Sequence, residues 1–221
     1  QGALGEVHAF AHADPQAAQR LAELLGPADE GDTVWLASVA SLAATEALTS
    51  AVAAGGYRVE RVRTRSGMGR LRIAYAEPAR LGVDRFLAML AASERRHGPW
   101  LIVSVGSALT VDALAADGEH LGGLIAPTPQ HVREAMAERF PVMNLPTGQA
   151  SDFAADTADA VASGARAAAL GVVERSLRQA GNRFGTTPTL LVSGGAAEAL
   201  ADLGHAPRID APALVLEGLA L

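Results

Sequence analysis

Three short stretches of this sequence carry residue types that could do chemistry. The first is the turn inside LIVSVGSALTVD, residues 101–112, where Ser104, Gly106, Ser107 and Thr110 gather between two apolar runs. A glycine admits close approach to the backbone, and converging amides and hydroxyls can hold phosphate oxygens. A tight hairpin turn has the same composition. The second is Ser193-Gly194-Gly195, after the apolar run 189–193. That is the carboxyl end of a strand, where open α/β sheets bind ligands, although a double glycine also serves folds that bind nothing. The third is Asp84 within Leu81-Gly82-Val83-Asp84-Arg85, just inside a helical pattern. A carboxylate there balances a helix dipole or, with an arginine beside it, stays ionised as a general base. Asp156 and Thr157 offer the same choice, between capping a long helix and binding a small polar molecule through carboxylate and hydroxyl.

Composition excludes several other chemistries. The 221 residues contain no cysteine, hence no thiolate nucleophile, disulfide framework or cysteine zinc site, and a cytoplasmic setting fits. All 18 basic residues are arginine, which removes the phosphate-loop lysine and any Schiff base. The six histidines, His8, His12, His97, His120, His131 and His205, show no paired metal-ligand spacing and read as surface or strand positions. A net charge of −6 offers no global field for nucleic acid or an anionic membrane, and no apolar run reaches the roughly eighteen residues of a membrane span. Arg61, Arg63, Arg65, Arg70 and Arg72 form one local basic stretch, read as a solvated strand face and loop.

The elements that must position these groups follow a β-α rhythm. Alternation predicts a strand over 4–11, and helical spacing a helix over 14–25. A short apolar run predicts a buried parallel strand over 33–39, followed by a helix over 42–54 and a strand over 57–64. Residues 67–78 read as irregular, and a helix over 83–96 stops at Gly98-Pro99, where a boundary divides the chain into 1–98 and 99–221. Strands over 100–105, 109–116 and 120–126, with a turn at Asp117-Gly118, imply three adjacent antiparallel strands. A helix over 129–140, a loop over 144–152 and a long helix over 157–180 capped by Gly181 come next. A buried strand over 189–193, a helix to Leu203, a strand over 207–209 and a helix over 214–221 close the chain.

TVWLASVASLAATEAL at 33–48 parallels TLLVSGGAAEALADL at 189–203, each an apolar strand, a small-residue turn and an Ala/Leu helix. If 4–11 corresponds to 120–126, the first half lacks a counterpart of 100–117. About twenty residues carrying two strands are then expected before Gln1. A single α/β domain with ordinary β-α repetition is the other reading.

Tyr75-Ala76-Glu77-Pro78, then Leu81-Gly82-Val83-Asp84-Arg85, Gly106-Ser107-Ala108-Leu109-Thr110-Val111-Asp112 and Gly122-Gly123-Leu124-Ile125 resemble the type III pantothenate kinases, the family that also contains the Bvg accessory factor proteins. The resemblance runs from about Ala37 to Leu219, and its specific part is the Tyr-x-x-Pro-x-x-Leu-Gly-x-Asp-Arg block. It implies an α/β, actin-like ATPase (ribonuclease H-like) fold of two duplicated lobes, here with the first lobe lacking its N-terminal strands. It also implies a homodimer that phosphorylates pantothenate with ATP and Mg2+ as the first step towards coenzyme A. By the same resemblance Asp84 is the general base, and Tyr75, Gly82, Val83, Asp84, Arg85 and Thr157 contact pantothenate, with the planar fork of Arg85 on its carboxylate. Gly106, Ser107, Gly194 and Gly195 fall on the ATP side.

The chain departs from the family in three places. Ser104-Val105-Gly106-Ser107 stands where the family has Asp-x-Gly-Thr, so Ser104 replaces the carboxylate that holds a monovalent cation, potassium or ammonium. The family's amino-terminal Asp-x-Gly-Asn loop has no counterpart in the chain, which implies weak ATP binding by the chain as it stands. Pro127-Thr128 replaces a Pro-Gly. These departures frame the alternative of a non-catalytic member that binds pantothenate or nucleotide in a regulatory role.

Overall fold

The computed structural model describes residues 4–9, 16–95, 97–141, 147–203 and 206–221. Helix α1 (Ala17–Leu25) leads to strand β1 (Thr33–Leu36), helix α2 (Leu42–Ala54) and strand β2 (Arg58–Arg61). Ser41 starts α2 by accepting the Ala44 N–H on its hydroxyl. β1 and β2 pair in parallel, from Thr33 opposite Arg58 to Leu36 opposite Arg61. The strand expected to be buried over 33–39 is shorter and more open than its apolar run suggests, with Trp35 57% exposed. Burial of both faces needs a packed layer over each, and β1 belongs to a two-stranded sheet with β2 whose outward side chains stay open.

The strand expected over 4–11 is absent from residues 4–9, and residues 10 and 11 lie outside the described ones, as do 14 and 15 of the expected first helix. Alternation makes a strand only where a ladder partner exists. Leu4 and Val7 lie instead near Trp35, Leu216 and Leu219. Within 67–78 the chain makes a small hairpin of β3 (Gly67–Met68) and β4 (Leu71–Arg72), turning at Gly69 with φ of 56°. One 3-10 turn, Pro78–Arg80, then leads into helix α3 (Val83–Glu94).

Beyond α3 lie β5 (Trp100–Val105), β6 (Leu109–Leu114), β7 (His120–Ala126), α4 (Pro129–Arg139), α5 (Thr157–Phe184), β8 (Thr189–Ser193), β9 (Arg208–Asp210) and α6 (Leu214–Leu219). Five of these strands form one sheet in the order β7-β6-β5-β8-β9. The three antiparallel strands expected from the sequence are β5, β6 and β7, and β8 and β9 add in parallel. Alternation then sorts the side chains to two faces. Leu101, Val103, Val111 and Leu190 pack with Ala169 and Val173 of α5. Trp100, Ile102, Leu114 and Leu191 pack with Phe86, Leu87 and Leu90 of α3 and Leu214 of α6. α3 precedes the boundary expected at 98/99, yet it shares this core with the second sheet. Gly218 lets α6 touch α3, because a Cβ there would lie 2.0 Å from the Leu87 carbonyl oxygen.

Two helix ends differ from expectation. Gly181 does not cap α5, which runs on to Phe184 and ends at Gly185 in the left-handed conformation, φ 69° and ψ 8°. A glycine inside a helix costs about 1 kcal/mol without ending it, whereas the left-handed residue turns the chain away. After Gly195 the expected helix is a single 3-10 turn, Ala197–Leu200, closed by the Ala201 N–H on the Glu198 carbonyl.

Candidate active site

Asp84 sits in the first turn of α3, where the chain has just left the extended Gly82. One carboxylate oxygen, Oδ1, accepts the Arg85 backbone N–H at 2.8 Å, while Oδ2 makes no hydrogen bond among the described residues. A Cβ on Gly82 would lie 2.6 Å from that Oδ1, so the glycine leaves the space into which the carboxylate folds back. Val83, next in line, points into the core and anchors this turn. The half-buried Asp84 thus holds one oxygen fixed and one free to accept a proton.

Arg85 points the other way, into the protein, and is only 6% exposed. Its Nε and Nη2 donate to Oδ2 and Oδ1 of Asp112 at 2.9 and 2.5 Å, and its Nη1 donates to the Tyr75 hydroxyl at 3.2 Å. Burial by itself would lower the Arg85 pKa. The hydrogen bonds and charge of Asp112, with Tyr75 second, outweigh it and hold the group still higher than a free arginine. Arg85 is therefore a permanent cation whose fork is occupied by Asp112. The expectation that this fork grips a substrate carboxylate gives way to a narrower one, in which only the outer N–H groups of Nη1 and Nη2 remain to donate.

Asp112 is 2% exposed and also meets His120, whose Nε2 lies 3.0 Å from Oδ1. His120, likewise 2% exposed, stacks its ring on that of Tyr75 with centroids 6.2 Å apart and planes 8° off parallel. The hairpin makes this meeting possible: β6 and β7 set Asp112 opposite Gly123. A Cβ at 123 would lie 2.3 Å from Asp112 Oδ1 and 2.5 Å from Arg85 Nη2. The turn at Gly118 packs against the backbone of Arg70, bringing residues 70–75 alongside the start of β7.

The phosphate-side candidates meet at the far end of the sheet. Ser104 is in register with Thr110 on one side and Ser193 on the other, giving a row of hydroxyls on the α3 face. Thr110 is two residues from Asp112 along β6, about 7 Å. The Ser193 hydroxyl is buried and has no hydrogen-bond partner among the described residues. Gly194, at φ 92°, presses on β5, since a Cβ there would lie 2.4 Å from the Val105 carbonyl oxygen. The same carbonyl accepts the Ala196 N–H at 3.1 Å. The exposed turn at Gly106 and Ser107 and the turn at Gly194 and Gly195 therefore stand side by side. Thr157 is exposed at the first position of α5, where Asp156 caps the helix by accepting the Ala158 and Asp159 N–H groups. No hydrogen bond or ion pair among the described residues joins Thr157 to Tyr75, Asp84 or Arg85.

The model of the family described as type III pantothenate kinase matches residues 6–179. The chain belongs to the type III pantothenate kinase family. Type III pantothenate kinases of Stenotrophomonas maltophilia (strain K279a) and Xanthomonas campestris pv. campestris (strain 8004) are 45% and 43% identical to it over 218 residues, 98% of this chain and 87% of each relative. A Baf-family protein from Campylobacter jejuni shares the fold, with a TM-score of 0.60 at 20% identity over 91% of this chain and 84% of that one.

Within this pantothenate kinase family member, sequence reasoning placed Asp84, Arg85 and Tyr75 together but gave Asp112 and His120 no role. One signal was legible: an aspartate in the apolar strand LTVDAL must find a partner, and counting back from the Asp117-Gly118 turn sets it opposite a glycine. As for metals, no group of three or more His, Cys, Asp or Glu among the described residues could hold an ion. The hydroxyl row at Ser104 supplies neutral oxygens and no charge, so it does not fit a cation site anchored by a carboxylate.

Proposed function

We propose that the protein transfers the γ-phosphoryl group of ATP to the primary hydroxyl of pantothenate, giving 4'-phosphopantothenate in the first step towards coenzyme A. The observation that carries this reading is Asp84, with Oδ1 held by the Arg85 N–H and Oδ2 free. Oδ2 takes the hydroxyl proton as the substrate oxygen bonds to the γ-phosphorus, and the bond from that phosphorus to the β-phosphate oxygen breaks to release ADP. The Tyr75 hydroxyl and the outer N–H groups of Arg85 meet the substrate carboxylate, and Gly82 and Val83 shape the approach. Gly106, Ser107, Gly194 and Gly195 hold the phosphates through amides and a hydroxyl. Mg2+ bound with ATP neutralises phosphate charge.

Two duplicated lobes, 1–98 and 99–221, are part of the reading. They are supported by the matching parallel pairs β1-β2 and β8-β9, each joined by a crossover that begins with small residues. The homodimer and a pantothenate contact by Thr157 rest on the family resemblance, and the cytoplasmic location on the cysteine-free composition.

Replacing Asp84 with Asn keeps the shape and removes the base. We expect kcat to fall by about 10^2 to 10^4 while pantothenate still binds, measured by ADP release and by calorimetry. Equal rates for the two proteins would sink the assigned base. Ser104, with a neutral hydroxyl, favours a second reading, a non-catalytic binding protein of the same fold. Binding of pantothenate or ATP without turnover under potassium, ammonium and sodium alike would establish it.

A further inference from the structure

We propose that Asp112 and His120 are positioning residues for pantothenate recognition, acting through Arg85 and Tyr75; this rests on the reading that those two meet the substrate. The bond pattern is directional. The Ala74 N–H lies 3.3 Å from His120 Nδ1, and an amide can only donate, so Nδ1 carries the lone pair. The proton is then on Nε2, which donates to Asp112 Oδ1 at 3.0 Å. Asp112 receives three donors among the described residues, Nε and Nη2 of Arg85 and Nε2 of His120. Its orientation is thereby set from two sides. Asp112 in turn fixes the plane of an arginine whose long side chain would otherwise sample many rotamers.

Tyr75 is held by the same groups. Its ring lies on His120, the Ala74 N–H beside it is tied to that ring, and its hydroxyl oxygen accepts from Arg85 Nη1. Because that oxygen is already an acceptor, the hydroxyl proton is free to donate outward. Of the five Arg85 N–H groups, three are engaged, which leaves one on Nη1 and one on Nη2. What the network presents is a phenol O–H and two guanidinium N–H groups in fixed relation, a donor set matched to one carboxylate. The Asp112 charge offsets that of Arg85, so recognition depends on the geometry of these donors more than on net charge. Neither Asp112 nor His120 needs to touch the substrate.

The test is a split of Michaelis constants. His120→Phe keeps a ring against Tyr75 and removes both nitrogens. We expect its KM for pantothenate to rise about tenfold or more, the scale of a hydrogen bond to a buried charge, with KM for ATP unchanged. His120→Gln carries an amide N–H towards Asp112 and should recover most of the loss. Asp112→Asn, close in shape, is measured in parallel and gives the same split if His120→Phe does not fold. An unchanged pantothenate KM in the folded variant overturns the proposal, and so does an equal rise in both KM values, which marks a merely structural role. Absence of pantothenate phosphorylation by the unaltered protein would instead overturn the functional reading on which it rests.

Discussion

Gly122 and Gly123 are neighbours on β7 and differ in what a side chain would meet. At 123 a Cβ would fall 2.3 Å from both Asp112 Oδ1 and the Val111 carbonyl oxygen, whereas at 122 the space is open but φ is 114°. Gly123→Ala should therefore push apart the Arg85–Asp112 pair, costing about 1–3 kcal/mol as overpacking and raising KM for pantothenate. Gly122→Ala should cost about 1–2 kcal/mol of backbone strain and leave KM as it was. Urea unfolding and steady-state kinetics on the two variants separate these outcomes. If Gly123→Ala lost stability without any change in KM, the ion pair would be structural alone. At this scale the sequence was legible where chemistry is local. Asp84 and Arg85 are adjacent letters at a helix start, and the first turn alone sends one carboxylate outward and one guanidinium inward. Asp112 and His120 were not legible in the same way. Their partnership depends on hairpin register, on Gly118 seating residue 70, and on the excursion that lays Tyr75 over the imidazole.

Elements whose sequence signal was continuous came out at their expected bounds. The strands over 100–105, 120–126 and 189–193 and the helix over 42–54 match β5, β7, β8 and α2. A central strand such as β5 is apolar on both faces because both faces are covered, so its run of letters suffices. Residues 4–9 alternate as well as β7 does, but pairing is a property of two strands, and no pattern within one of them supplies it. The parallel pairing of β5 with β8 also has a consequence for function. Gly194 holds the end of β8 against Val105, keeping the two glycine turns together. Gly194→Ala would meet the Val105 carbonyl at 2.4 Å and would strain a φ of 92°, so the turns must part. We expect KM for ATP to rise several-fold and KM for pantothenate to stay put, the mirror image of the result at His120. A rise confined to pantothenate would show that the glycine turns are not the phosphate cradle.

Across the whole molecule, the charge works against the substrates. The protein carries a net charge of −6, and ATP and pantothenate are both anions, so diffusion into the site begins uphill. Against that background Arg61, Arg63 and Arg65 are exposed at alternate positions, on one side of the extended chain that leaves β2, and their side chains make no ion pair or hydrogen bond among the described residues. Between them, Val62 packs into the core and Thr64 donates its hydroxyl to the Leu81 carbonyl at 2.8 Å. The arginine stripe is thus tied to the residue that precedes Gly82 and Asp84. Three positive charges with no ion-pair partner among the described residues, on a segment bonded to the residue before Gly82, should draw in anions, and their reach is a Debye length, about 10 Å at 0.1 M salt. Changing all three to glutamine should lower kcat/KM by up to about tenfold at low ionic strength. The difference should disappear in high salt, with kcat unaltered throughout. Stopped-flow binding of a fluorescent ATP analogue across a salt series reads this directly. A loss that persists in high salt would mean that the arginines contact substrate and do not merely guide it.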